Sequence, residues 1–127
     1  MKTLTTLFLA LLLSASLLNA AAFSKDAKYR TTKVHITAEQ PITTGSNSFT
    51  FTITKDAKAI DGTVALKAFM PAMPGMPAME SKVSATNLGN GRYTAKLNLA
   101  MSGTWQLHIY ITPKSGKKSR VKTTLNF

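Results

Sequence analysis

Beyond residue 32, apolar side chains recur at every second position through most of the chain, and this period constrains the fold more than any other feature. Side chains alternate across a strand, so the pattern describes strands with one packed face and one wet face. Residues 33–38 carry Val34 and Ile36, and 48–54 set Phe49, Phe51 and Ile53 against three threonines. Residues 63–70 carry Val64, Leu66, Ala68 and Met70, and 92–99 carry Tyr93, Ala95, Leu97 and Leu99. Residues 104–112 carry Trp105, Leu107, Ile109 and Ile111, and 120–127 carry Val121, Thr123, Leu125 and Phe127. A shorter candidate strand spans 82–86. Helical periodicity is nearly absent. Turn chemistry separates the runs at 44–47, 61–62, 87–91, 102–103 and 113–116. About seven short strands at this spacing predict an immunoglobulin-like antiparallel β-sandwich. Trp105 is expected in the core between the sheets.

The first residues do not share the pattern. Met1 and Lys2 give a positive start, and an uncharged run rich in leucine and alanine follows over 7–18. Small residues stand at Ala20, Ala21 and Ala22. The run is shorter than the roughly 20 residues of a spanning helix, so residues 1–20 read as a secretory signal peptide, cut after Ala20 or Ala22. The expectation is a periplasmic or otherwise secreted domain over 21–127, with no transmembrane span after cleavage. Cysteine is absent, so no disulfide staples the domain and no thiolate serves as ligand. Stability must come from packing.

The formal charge is +11, and one of these charges leaves with Lys2. Strongly basic chains favour nucleic acid or anionic surfaces. Export argues against nucleic acid, and most lysines are spread thinly. Lys114, Lys117, Lys118, Arg120 and Lys122 form the one cluster, which reads as a solvated hairpin end, with an acidic partner or anionic surface as the second reading.

One segment breaks the alternation. Residues 70–79 read Met-Pro-Ala-Met-Pro-Gly-Met-Pro-Ala-Met and hold four of the six methionines and three of the five prolines. Proline lacks the N–H that a ladder needs, so this density predicts an exposed or edge loop. The spacing of three matches polyproline II, but a straight rod would set neighbouring methionines about 9 Å apart, too far to share an ion. Met73-Pro74-Gly75-Met76 fits a type II turn, which brings its first and fourth Cα within about 7 Å. Met73 and Met76 are then expected to converge, with Met70 and Met79 flanking them. Thioether sulfur is soft, uncharged and free of any proton to lose, and it favours Cu(I) and Ag(I) over divalent ions. The competing readings are a hydrophobic loop for a protein partner and plain core filling, since methionine serves both.

The Met-Pro loop, together with Gly91-Arg92-Tyr93 and Met101-Ser102-Gly103-Thr104-Trp105, resembles the YtkA-like domain family over nearly all of the chain beyond residue 31. The resemblance implies an immunoglobulin-like sandwich and a periplasmic role in copper handling beside an efflux-pump or oxidase-assembly protein. It implies metal ligands at Met70, Met73, Met76, Met79 and Met101. By phase alone, Met101 follows Leu97 and Leu99 and could equally be core.

His35 and His108 each sit between two apolar residues, so both are expected on outward, solvent-exposed faces, with nothing in their spacing to bring them to the loop. Asp26, Glu39, Asp56, Asp61 and Glu80 are the only acids, and they are scattered. No cysteine nucleophile, metal-spaced histidine pair or phosphate loop is present, so no enzyme is expected. The leading expectation is a Cu(I)/Ag(I)-binding accessory protein. A metal-free docking module is the alternative, and an anionic-surface binder comes third.

Overall fold

The alternation is realised as ten strands over residues 22–127, the part of the chain that the computed structural model describes. They are β1 (Phe23–Tyr29), β2 (Thr32–Ala38), β3 (Gly45–Lys55), β4 (Lys58–Ala59), β5 (Gly62–Met70), β6 (Met79–Ser84), β7 (Thr86–Gly89), β8 (Arg92–Leu99), β9 (Thr104–Pro113) and β10 (Ser119–Asn126). The signal segment expected at residues 1–20 lies outside the described residues. Among those described, no helix is long and apolar enough to cross a membrane.

The strands form two antiparallel sheets. One runs β1-β2-β3-β8-β7, with β4 also on β3; the other runs β10-β9-β5-β6. The expected all-β sandwich is therefore present. Its core faces carry the predicted residues: Val34, Ile36, Phe49, Phe51, Ile53, Tyr93, Leu97 and Leu99 from the first sheet meet Val64, Leu66, Trp105, Leu107, Ile109, Ile111 and Leu125 from the second. Trp105 is fully buried, as expected.

Three boundaries differ from the sequence reading. Strand β1 was not foreseen, because Lys25 occupies one of its core-facing positions between Phe23 and Ala27. The Lys25 ammonium reaches across to β10 and donates to the Thr124 carbonyl (2.6 Å) and hydroxyl (3.1 Å). An inward lysine on an edge strand also discourages pairing with another sheet. The turn expected at 44–47 is partly strand: β3 begins at Gly45, and buried Asn47 bonds the backbone of Thr43 and Gly45 with both ends of its amide. The turn expected at 87–91 shrinks to Asn90-Gly91. Both residues have positive φ (56° and 75°), the signature of a tight I′ hairpin, and this frees Thr86–Gly89 to form β7.

One short motif has a structural explanation here. In Gly91-Arg92-Tyr93, a Cβ on Gly91 would stand 2.7 Å from the Ile53 carbonyl oxygen, closer than any real Cβ approaches. Two residues on, the buried Tyr93 hydroxyl donates to the Ile60 carbonyl at 2.7 Å and ties β8 to the start of the second sheet. Burial raises the pKa of this phenol, with a smaller push from the Asp61 carboxylate.

Candidate metal centre

Strand β5 runs from Gly62, opposite Pro113, to Met70, and β6 returns from Met79. The methionine segment is thus a hairpin tip at one end of the sandwich. Its register is continuous with the sheet. Leu66 faces Val83, Ala68 faces Ser81, and Met70 faces Met79. Three residues further along each arm, Met73 faces Met76. Between the two methionine pairs the ladder lapses, because Pro71 and Pro77 have no N–H to give. At the tip it re-forms: the Met73 N–H donates to the Met76 carbonyl (2.9 Å), and the Met76 N–H donates to the Met73 carbonyl (2.8 Å).

The expected turn explains the closure. Gly75 has φ of +80°, the value that the third position of a type II turn requires, and Pro74 supplies the second. A Cβ at Gly75 would touch nothing, so glycine serves the backbone conformation and not space. The spacing of three thus becomes a palindrome about Pro74-Gly75. The four methionines fall into two cross-strand pairs: Met70 with Met79 at the base, and Met73 with Met76 at the tip. Residues directly opposite in such a ladder have Cβ atoms about 5 Å apart, within reach of a common partner for side chains as long and flexible as methionine.

Exposure rises from base to tip. Met70 is 4% exposed and belongs to the core, Met79 and Met76 are partly buried, and Met73 is 47% exposed. The sequence reading placed all of 70–79 on an exposed or edge loop. The base pair instead ends the strands, because Met70 continues the inward phase of Val64, Leu66 and Ala68.

Met101 lies in the turn between β8 and β9 at this same end and packs against the core. Its carbonyl accepts the Trp105 indole N–H at 2.9 Å, which satisfies the one polar atom of the buried tryptophan. Gly103, between them, has φ of +140°, and a Cβ there would meet the Met70 terminal methyl at 3.0 Å. The turn carrying Met101 is therefore seated against the base of the methionine hairpin. The Met-x-Gly-x-Trp segment was the signal for this contact, but only the fold shows that its glycine meets Met70.

Neither histidine joins the methionines. His35 is on the outer face of the first sheet, where Nδ1 lies 2.6 Å from the Asp26 carboxylate. His108 is on the outer face of the second sheet, packed edge-on against Phe69 (5.0 Å) with Nδ1 3.4 Å from the Tyr110 hydroxyl. It is partly buried and not freely solvated as expected. That burial lowers its pKa from the usual 6.5, helped by Arg120, Lys122 and Lys67. Glu80 follows Met79 but turns to the outer face, where its carboxylate meets Lys82 (3.0 Å) and Lys67 (3.8 Å). The Lys82 bond holds it below the usual carboxylate range.

Among the described residues, no three His, Cys, Asp or Glu side chains gather as a metal site. The donors assembled at the hairpin are neutral thioethers, a set suited to a soft monovalent ion and poorly suited to hard divalent ones. Comparison with curated proteins gave no match, and comparison with solved structures gave none. The profile of the YtkA-like family matches residues 26–110, which run from within β1 to within β9 and include the hairpin, the Gly-x-Tyr segment and the Met-x-Gly-x-Trp turn, and the chain belongs to that family.

Proposed function

We propose that this protein is an exported, periplasmic Cu(I)/Ag(I)-binding accessory protein of copper homeostasis or resistance. Within its family we place it beside the copper resistance determinant protein CrdA. It buffers the ion or passes it to an efflux-pump or oxidase-assembly partner, and it performs no catalysis. The observation that carries this reading is the in-register pairing of Met73 with Met76, continued from Met70 with Met79.

Copper is cargo on this reading. Met73 and Met76 receive it at the tip, and Met70, Met79 and Met101, gathered at the base of the same hairpin, are the further thioether donors of this reading. Neutral ligands hold a soft ion without losing a proton, so capture does not change with pH in the physiological range. Few weak donors on an exposed tip also let a partner with more or stronger ligands take the ion. The second reading rests on the exposure of Met73: an apolar tip that docks into a membrane-complex partner without metal.

A Cu(I) titration against a chromophoric chelator, anaerobic and reducing, separates the two. The wild type is expected to withdraw copper, and Met73→Leu/Met76→Leu to lose about 100-fold in affinity while keeping most of the apolar volume. A wild type that cannot compete for copper ends the copper reading. If the double variant also retains full function in the cell, the tip is a docking loop.

A further inference from the structure

The methionine hairpin leaves the strong positive charge without a role. The fold collects much of that charge at the opposite end of the sandwich. Lys28 and Arg30 sit at the tip of the β1–β2 hairpin, and Lys55 ends β3, all in the first sheet. The β9–β10 hairpin of the second sheet brings Lys117, Lys118, Arg120 and Lys122 to the same place. These side chains line one cleft of about 570 Å³, and no carboxylate is among its lining residues. In the sequence the two groups lie some 60 to 90 positions apart, so only the second was visible as a cluster.

All seven cations are exposed, and none takes part in the ion pairs among the described residues. Lys114, on the same hairpin, pairs with Asp61 at 3.0 Å outside the cleft, and one acid, Asp56, follows Lys55 at the cleft's edge, where its backbone N–H donates to the Thr31 carbonyl at 3.2 Å. Seven like charges around one concavity repel each other, and a negatively charged partner relieves that repulsion.

Two features choose the partner. Tyr29 is 44% exposed at the hairpin tip, between Lys28 and Arg30, and is the cleft's one aromatic; the Arg30 guanidinium lies 5.2 Å from its ring centre. An amphipathic ring flanked by cations suits the headgroup layer of a membrane. Arg30 and Arg120 present forked donors that match phosphate, and the Thr31 and Ser119 hydroxyls add more. A protein partner would ask for a desolvated apolar centre, which this lining lacks. We propose that this end of the sandwich docks on an anionic phospholipid surface, with Tyr29 at headgroup depth and the methionine hairpin pointing away from the membrane. The inference does not depend on copper binding.

The test is sedimentation with vesicles, using the chain expressed without residues 1–20, since among the described residues every strand of both sheets lies beyond residue 22. Vesicles of phosphatidylcholine with and without phosphatidylglycerol are compared at low and high salt. Each Lys or Arg near an anionic surface adds about fivefold to partitioning, so Arg30→Gln/Lys118→Gln/Arg120→Gln is expected to weaken binding about 100-fold. The control Lys67→Gln/Lys82→Gln/Lys96→Gln removes the same charge elsewhere and is expected to change binding less than about fivefold. Equal losses in both triples would overturn the proposal in favour of diffuse charge. Absence of vesicle binding would also overturn it, and capture of a soluble polyglutamate peptide in its place would assign the cleft to an acidic protein.

Discussion

The two ends of the sandwich present chemistry of opposite kinds, and they are built by opposite means. At one end, four neutral thioethers lie within ten consecutive residues, and a backbone ladder pairs them two by two. At the other, seven cations converge from two sheets without a shared ladder. A soft metal ion demands donors held a few ångströms apart, and register delivers that. A charged surface acts over roughly a Debye length, so long side chains on hairpin tips suffice. Placement by backbone and placement by topology thus match the tolerance of each interaction.

The comparison is broken most directly by crossing the variants. Met73→Leu/Met76→Leu is expected to lose about 100-fold in Cu(I) affinity and to bind anionic vesicles within about twofold of wild type. The cleft triple is expected to do the reverse. Coupled losses would mean that the ends are not independent.

A smaller effect sharpens the claim that register makes the tip. Gly75→Ala introduces no clash, but a left-handed backbone costs a residue with a Cβ about 1–2 kcal/mol. The closed turn should then be about tenfold less populated, and Cu(I) affinity should fall by a similar factor with the global fold intact. Unchanged affinity would show that the Met73–Met76 ladder is dispensable.

Smaller again is Tyr93→Phe, which removes the bond from β8 to Ile60 and leaves a buried carbonyl unpaired. A loss of about 1–2 kcal/mol in chemical denaturation is expected, with both binding affinities unchanged. The smallest effect concerns pH. His108 has a folded pKa below its usual 6.5, so the unfolded chain takes up the proton first. Stability should therefore decline as pH falls through 6.5 and level off once the folded histidine is also protonated. His108→Gln should flatten that part of the profile, read from melting curves between about pH 7 and 5.

Much of this molecule is legible without coordinates. The inward residues from Val34 to Leu125 follow from period two alone, because one wet face and one packed face leave an antiparallel strand no other phase. The turn at Pro74-Gly75 follows from local sterics, since proline presets one dihedral and glycine permits the next. The strand β1 was hidden because its inward Lys25 is satisfied by Thr124, a partner 99 positions away.

Three things belonged to the tertiary structure. The sequence read the methionine segment as one loop, while the hairpin register divides it into a base pair that puts Met70 in the core and a tip pair that exposes Met73. The seat of the Met101 turn against Met70 depends on β9 returning beside β5, which brings Gly103 under the Met70 methyl. The cationic cleft depends on two sheets ending together, and linear charge counting cannot see that. Local dihedral preference and side-chain period act between near neighbours in the chain. Contact between distant segments is settled by which faces pack, and that is a property of the whole core.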